Sequence, residues 1–218
     1  RLRVIPIPLT GGVLGIRAGW THKKRLSRLE AVRNLNDLRS ITLLQGHGWS
    51  ELDIFDAAGL RTYEAGTVDL FRFVHQQRVD LLPRGIAEIE DEHGGADRFS
   101  QAIVIDPHLL LTYPFAGFFY VSPENKKLAD AIKRGFQKIK SDGSYQQLLE
   151  SQVYTPWLRR NLNLKQRRVI FIPNPQARGV LDVVDSSDWI VPWSRLADGE
   201  ITTGEQLCTF PGLTALCR

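Results

Sequence analysis

Five residues, Gly46, His47, Gly48, Trp49 and Ser50, separate the apolar run that ends "TLLQ" from a helix-like stretch opening at Glu51. Glycine lets backbone amides approach a bound group with no Cβ in the way. Ser50 can cap a helix whose free N–H groups point at the loop. Such a loop could hold something small and negative, or it could be a plain strand-to-helix turn. Farther along, "RVDLLPRG" ends in Arg84 and Gly85. That is the carboxyl end of a predicted strand, where open sheets place ligands. Arg84 is then either a ligand contact or a surface ion-pair partner, and Arg17 and Glu88 are further polar candidates. Trp49 offers a wall for a ligand or packs into the core. His47 donates to a bound group or only closes the turn.

The elements that must position these residues follow from pattern. "RVIPIPL" and "GGVLGIRAGW" read as short extended segments, the first restricted by Pro6 and Pro8. "SITLLQG" reads as a buried strand, followed by a helix from Ser50 to about Ala58 that closes at Gly59. "LRTYEAG" is a second strand, Thr67 caps the next helix, and "RVDLLPRG" is a third strand. This strand-helix alternation with short links is what a parallel sheet with crossover helices requires. "GIAEIEDE" predicts an acidic helix, while "QAIVIDPHLLLTYP", "GFFYVS" and "RRVIFIPNP" predict further strands. Ser122, Pro123 and Glu124 predict a helix start, and Ser144 with Gln147 a capping box. Residues 181–218 show no sustained period.

Composition narrows the function classes. With 218 residues and 43% hydrophobic content the chain can bury a core as one domain or two lobes. A formal charge of +4, from 28 basic and 24 acidic side chains, is too small a surplus to suggest nucleic-acid binding. The densest basic stretch, "HKKRLSRLEAVR", is broken by apolar residues at near-helical spacing and reads as a solvated helix face or linker. No apolar run approaches the ~20 residues that span a bilayer. The histidines show no HExxH spacing, and there is no G-x-S-x-G elbow or P-loop lysine, so no catalytic residue, metal site or cofactor is expected. Cys208 and Cys217 flank a Pro-Gly turn and are either bridged or free. Without any methionine, the sequence is expected to be a mature product or a fragment.

Four passages resemble the type II periplasmic solute-binding proteins, in particular the family-3 group that serves amino-acid uptake. "NDLRSITLLQGHGWSE" resembles the entry to the second lobe, and "LFRFVHQQRVDLLPRG" is similar to the helix and strand whose end faces the ligand. "GFFYVSPENKKLADAIKRGFQKIKSDGSYQQLLES" resembles the return strand and terminal helices, and "GVLGIRAGW" the first crossover between lobes. The resemblance implies an α/β, type II periplasmic-binding-protein-like fold: two lobes joined by two crossover strands, with the first lobe incomplete. Residues 1–20 would be a remnant of lobe 1 with the first hinge strand, and 21–37 a linker. Residues 38–116 would form lobe 2, 117–180 the second hinge strand and the return to lobe 1, and 181–218 an irregular tail.

The resemblance also implies a function: capture of a small polar, acidic or zwitterionic, amino-acid-like solute by hinge closure. The protein would be a periplasmic monomer, handing solute to a membrane transporter permease. It makes Gly46, His47, Gly48, Trp49 and Ser50 the anion-holding loop, with Arg84, Gly85, Glu88 and Arg17 as other ligand-binding candidates. Amino-acid binders usually carry an acid where this chain has Arg84, and an arginine there suits an acidic group, which it can grip with two parallel hydrogen bonds. The alternative is an effector-binding sensor domain of a transcription regulator or signalling receptor.

Overall fold

The computed structural model describes residues 2–217 and is organised around one buried strand. Nine strands occur in chain order: β1 (Arg3–Ile5), β2 (Ile16–His22), β3 (Thr42–Gly46), β4 (Arg61–Ala65), β5 (Leu82–Gly85), β6 (Ile103–Ile105), β7 (Leu109–Thr112), β8 (Phe119–Val121) and β9 (Arg168–Phe171). Every residue of β2 is buried. One edge of β2 pairs antiparallel with β5, setting Arg17 opposite Gly85. Its other edge pairs antiparallel with β6 and then β7, and β9 runs parallel to β7.

β3 and β4 are parallel, and the Leu44 N–H donates to the Leu81 carbonyl at 2.9 Å, which joins this pair to the chain entering β5. The strand-helix-strand rhythm of residues 42–85 thus gives the parallel neighbours expected of it. The sheet as a whole is mixed, because the neighbours of β2 enter it from the opposite direction. β1 and β8 form a separate antiparallel ribbon, packed by the helix Lys126–Ser141 through Ile5, Val121, Ala129 and Ile132.

The apolar runs read as buried strands because the sheet is covered on both faces. Successive side chains point to opposite faces, so Leu43, Leu109 and Leu111 join a core with Phe55 and Ile170, while Leu44 and Leu110 join another with Trp20 and Leu158. Residues 181–217 hold only short helical turns, yet they bury Val191, Trp193, Leu196, Leu207, Leu213 and Leu216, and Cys208 is bonded to Cys217.

Four predicted caps differ. Ser50 makes no capping hydrogen bond, Asn125 rather than Ser122 caps the helix Lys126–Ser141, and Gly143 with positive φ precedes the helix Ser144–Gln152. Gly66 rather than Thr67 precedes the 3₁₀ turn Thr67–Asp69 that leads into the helix Leu70–His75. In the last three cases the backbone turns one to three residues from the place that residue type alone suggests, whereas Ser50 holds its predicted position before the helix.

Arg167 is almost wholly buried and binds carbonyls rather than an acid: Nε donates to Leu162 O at 2.6 Å, and Nη1 donates to Asp106 O at 2.6 Å and Leu109 O at 2.8 Å. Burial lowers its pKa to about 10, opposed by the nearby Asp106. Arg167→Leu should cost about 3 kcal/mol in urea unfolding, since three buried carbonyls lose a charged donor. A loss below about 1 kcal/mol would mean that water replaces it.

His22 is also buried, and its Nδ1 accepts from the Lys24 N–H at 3.1 Å. Burial, then the cations Lys24, His75 and Arg25, lower its pKa from 6.5. The unfolded chain therefore binds this proton more tightly; the stability is full above pH 6.5 and declines as pH falls below it. His22→Asn, which keeps an acceptor for Lys24, should flatten that decline in thermal melts taken between pH 7 and pH 5. An unchanged slope would assign it to other groups.

Candidate ligand-binding site

The register of β2 against β5 brings the candidate residues together. With Arg17 opposite Gly85, the Arg17 side chain lies beside Glu88 in the turn after β5. Its Nη1 donates to Glu88 Oε2 at 3.0 Å and its Nη2 pairs with Glu51 Oε1 at 2.7 Å, at the start of the helix Glu51–Ala57. Arg84 continues the chain of pairs: Nη2 to Glu88 Oε1 at 3.1 Å and Nε to Glu92 Oε1 at 2.6 Å. Glu92 also accepts from the Trp20 indole at 2.9 Å, and Glu88 accepts from the Gly85 N–H at 2.8 Å. Three carboxylates thus face two guanidiniums, a formal surplus of one negative charge.

Trp49 lies over Arg84, with the guanidinium carbon 4.4 Å from the ring centroid, in cation–π contact. The two flanking glycines have separate reasons. A Cβ on Gly46 would fall 2.3 Å from the Trp49 ring, so Gly46 makes room for the indole, while Gly48 sits at φ +72° with open space around it.

The arrangement lines a cavity of about 420 Å³ whose walls include Arg17, Trp49, Glu51, Arg84, Glu88 and Phe115. Leu14, Gly48 and Ser50 complete it. Of the residues singled out in the sequence, Gly46, His47 and Gly85 do not line it. His47 is exposed, and its backbone N–H donates to Ala65 O at 3.0 Å, closing the turn. Gly85 acts through its N–H on Glu88, and a Cβ there would meet Glu88 Oε2 at 2.5 Å.

Sequence reasoning passed over Glu51, Glu92 and Phe115. Arg84, Glu88 and Glu92 share a spacing of four, a signal for adjacent ion pairs. Glu51 and Phe115 carried none, because only the tertiary register brings them in.

Buried polar groups without partners among the described residues include Arg17 Nε and the Tyr113 hydroxyl beside the Arg17 guanidinium, and both side-chain polar atoms of Gln45 in β3. Tyr113 packs under the Arg17 guanidinium at 5.6 Å, and its pKa is raised chiefly by burial, with smaller opposing effects of Arg17 and Glu51. Buried polar groups of this kind are normally satisfied by water or by a bound group. Among the described residues no cluster of His, Cys, Asp and Glu is placed to hold a metal ion.

No family model matches the chain, and no curated protein matches it. Solved structures do. A protein described as a binding component of an ABC transporter from Wolinella succinogenes, complexed with lysine, superposes with a TM-score of 0.51 at 15% identity, over 72% of this chain and 66% of that one. The fold is that of the type II periplasmic binding proteins. An amino-acid ABC transporter substrate-binding protein from Streptococcus pneumoniae bound to L-arginine matches at 15% identity and a TM-score of 0.47, over 69% of this chain and 60% of that one. An ancestral arginine-binding protein bound to arginine matches at 16% and 0.45, over 70% and 64%. The chain therefore spans less than two thirds of these proteins' length. Within the periplasmic-binding-protein fold, the cavity lies where β2, β5 and the loop after β3 converge.

The packing of Gly46 against Trp49 makes a direct test. Gly46→Ala should cost about 1–3 kcal/mol by overpacking and expose Trp49 to iodide quenching. In a Trp49→Ala background the same substitution should cost little, and a penalty that persists there would show that the indole is not the obstacle.

Proposed function

We propose that the chain is the solute-capturing part of an extracytoplasmic binding protein of the ABC-transporter type, and that the cavity beside Trp49 and Arg84 receives an amino-acid-like zwitterion. The observation that carries this reading is the convergence of two arginines, two of the three acids that hold them and one stacked indole on a single 420 Å³ space. Arg84 Nη1 makes no hydrogen bond among the described residues, and its two protons suit a carboxylate. Glu88 is the most open of the three acids, with a side chain 38% exposed, and suits the ammonium end.

The surplus negative charge argues for a zwitterion over a doubly acidic ligand. Since Glu51, Glu88 and Glu92 each accept from an arginine, the reading is capture without chemistry.

The remaining parts of the proposal rest on other features. The chain passes directly between the β1–β8 ribbon and the main sheet through residues 6–15 and 113–118, and rejoins the sheet at β9 through the helices of residues 122–167; the two short connections can act as a hinge. A disulfide between Cys208 and Cys217 suits an oxidising compartment such as the periplasm. No helix among the described residues is long and apolar enough to cross a membrane. The partners are then a small solute and a membrane permease, with no nucleic acid, and the protein acts as a monomer.

Calorimetry against a panel of L-amino acids tests the reading. At least one should bind, and Arg84→Ala should weaken it by about tenfold or more, the equivalent of ~1.5 kcal/mol for a charged hydrogen bond. Unchanged affinity in that variant would remove Arg84 from the site.

A further inference from the structure

The cavity beside Arg84 adjoins two further spaces in series, through shared wall residues. Ser50 and Phe115 also line a second space of about 300 Å³, and Pro114, Leu181 and Trp189 stand between that space and a third of about 670 Å³. The third is the largest of the three and differs in chemistry. No charged side chain lines it, and its walls include Phe171, Ile190, Trp193 and Phe210. Phe171, Trp189, Ile190 and Phe210 are only half-buried, so the fold leaves apolar surface uncovered in a concave site. Part of its wall, Phe210 to Gly212, belongs to the loop closed by Cys208 and Cys217. The charged cluster and the apolar chamber thus lie at the two ends of one series of adjoining spaces.

We propose that these spaces form a single trough, and that the solute is an α-amino acid carrying a long apolar side chain or acyl-like tail. Its zwitterionic head sits at Arg84 and Glu88, and its tail runs past Phe115 and Leu181 into the chamber beside Trp189. The inference rests on the reading of the head site given above and adds the substrate class. A free polar amino acid would leave the chamber wet. Each methylene that enters it leaves water for an apolar wall, which favours binding by roughly fourfold.

Calorimetry with unbranched L-α-amino acids, from alanine to 2-aminodecanoic acid, tests the trough with one constant head. Affinity should rise along the series in the unmodified protein. Leu181→Trp, which fills the passage between the second and third spaces, should leave alanine unaffected and flatten the rise. Phe210→Asp, with a carboxylate in the far chamber, should penalise only the longest members and serves if Leu181→Trp does not fold. Measurable binding with no dependence on length would overturn the trough and leave the head site standing. A rise that neither variant alters would place the tail elsewhere and also overturn it. Binding of no member of the series would overturn the head site and the trough together.

Discussion

The burial of Arg17 near the start of the central strand is the constraint on which the arrangement turns. A guanidinium that is 2% exposed needs close acceptors, because an unpaired buried charge costs several kcal/mol, and here, unlike at Arg167, the acceptors are carboxylates. Glu51 and Glu88 supply them from two different elements, so the helix Glu51–Ala57 and the turn after β5 are both tied to β2. Glu88 is in turn shared with Arg84, which fixes the guanidinium on which Trp49 stacks. Loss of any one carboxylate would leave at least one of the two guanidiniums with a single acidic partner. The site is therefore held by the same contacts that hold the sheet.

A second constraint lies at the connection between β1 and β2. Gly11 and Gly12 have φ of +57° and +91°, and a Cβ at either would run into Ile190 or Trp193. The Ile190 and Val191 N–H groups both donate to Gly11 O, at 2.9 and 3.1 Å. Residues 181–217 are thus fastened to one of the two short connections between the ribbon and the sheet. They also wall the apolar chamber. Any relative motion of ribbon and sheet at that connection would therefore move part of the chamber's wall.

Much of the fold was legible because its signals are local. Leu43–Leu44 and Leu109–Leu111 are runs that only a sheet covered on both faces can bury, and "QGHGWS" is a loop in any register. The helix starts at Ser122 and Ser144 were misplaced because a cap depends on where the backbone turns, and Asn125 and Gly143 turn it. The tail resisted reading since its short helical turns have no repeat long enough to show a period, and its order comes from packing on residues 11–15. In the site, Arg84, Glu88 and Trp49 stood out by type. Glu51 and Phe115 did not, because their place depends on Arg17 meeting Gly85 across 68 residues of sequence.

The dense pairing of the site bears on how it can bind at all. A guanidinium whose protons were all used would offer a ligand nothing, yet Arg84 spends Nε and one proton of Nη2 on acids and keeps Nη1. Its plane is fixed from one side by Trp49 and along its edge by Glu88 and Glu92. A ligand carboxylate then meets donors that need not be ordered on arrival, and the entropy of immobilising a long side chain is not charged to binding. On the proposed reading the acids also set selectivity. A second negative charge on the ligand would face the surplus carboxylate, whereas an ammonium group would be drawn to it. The three acids thus serve the fold by neutralising Arg17 and Arg84, and on the proposed reading they also decide which charge approaches them.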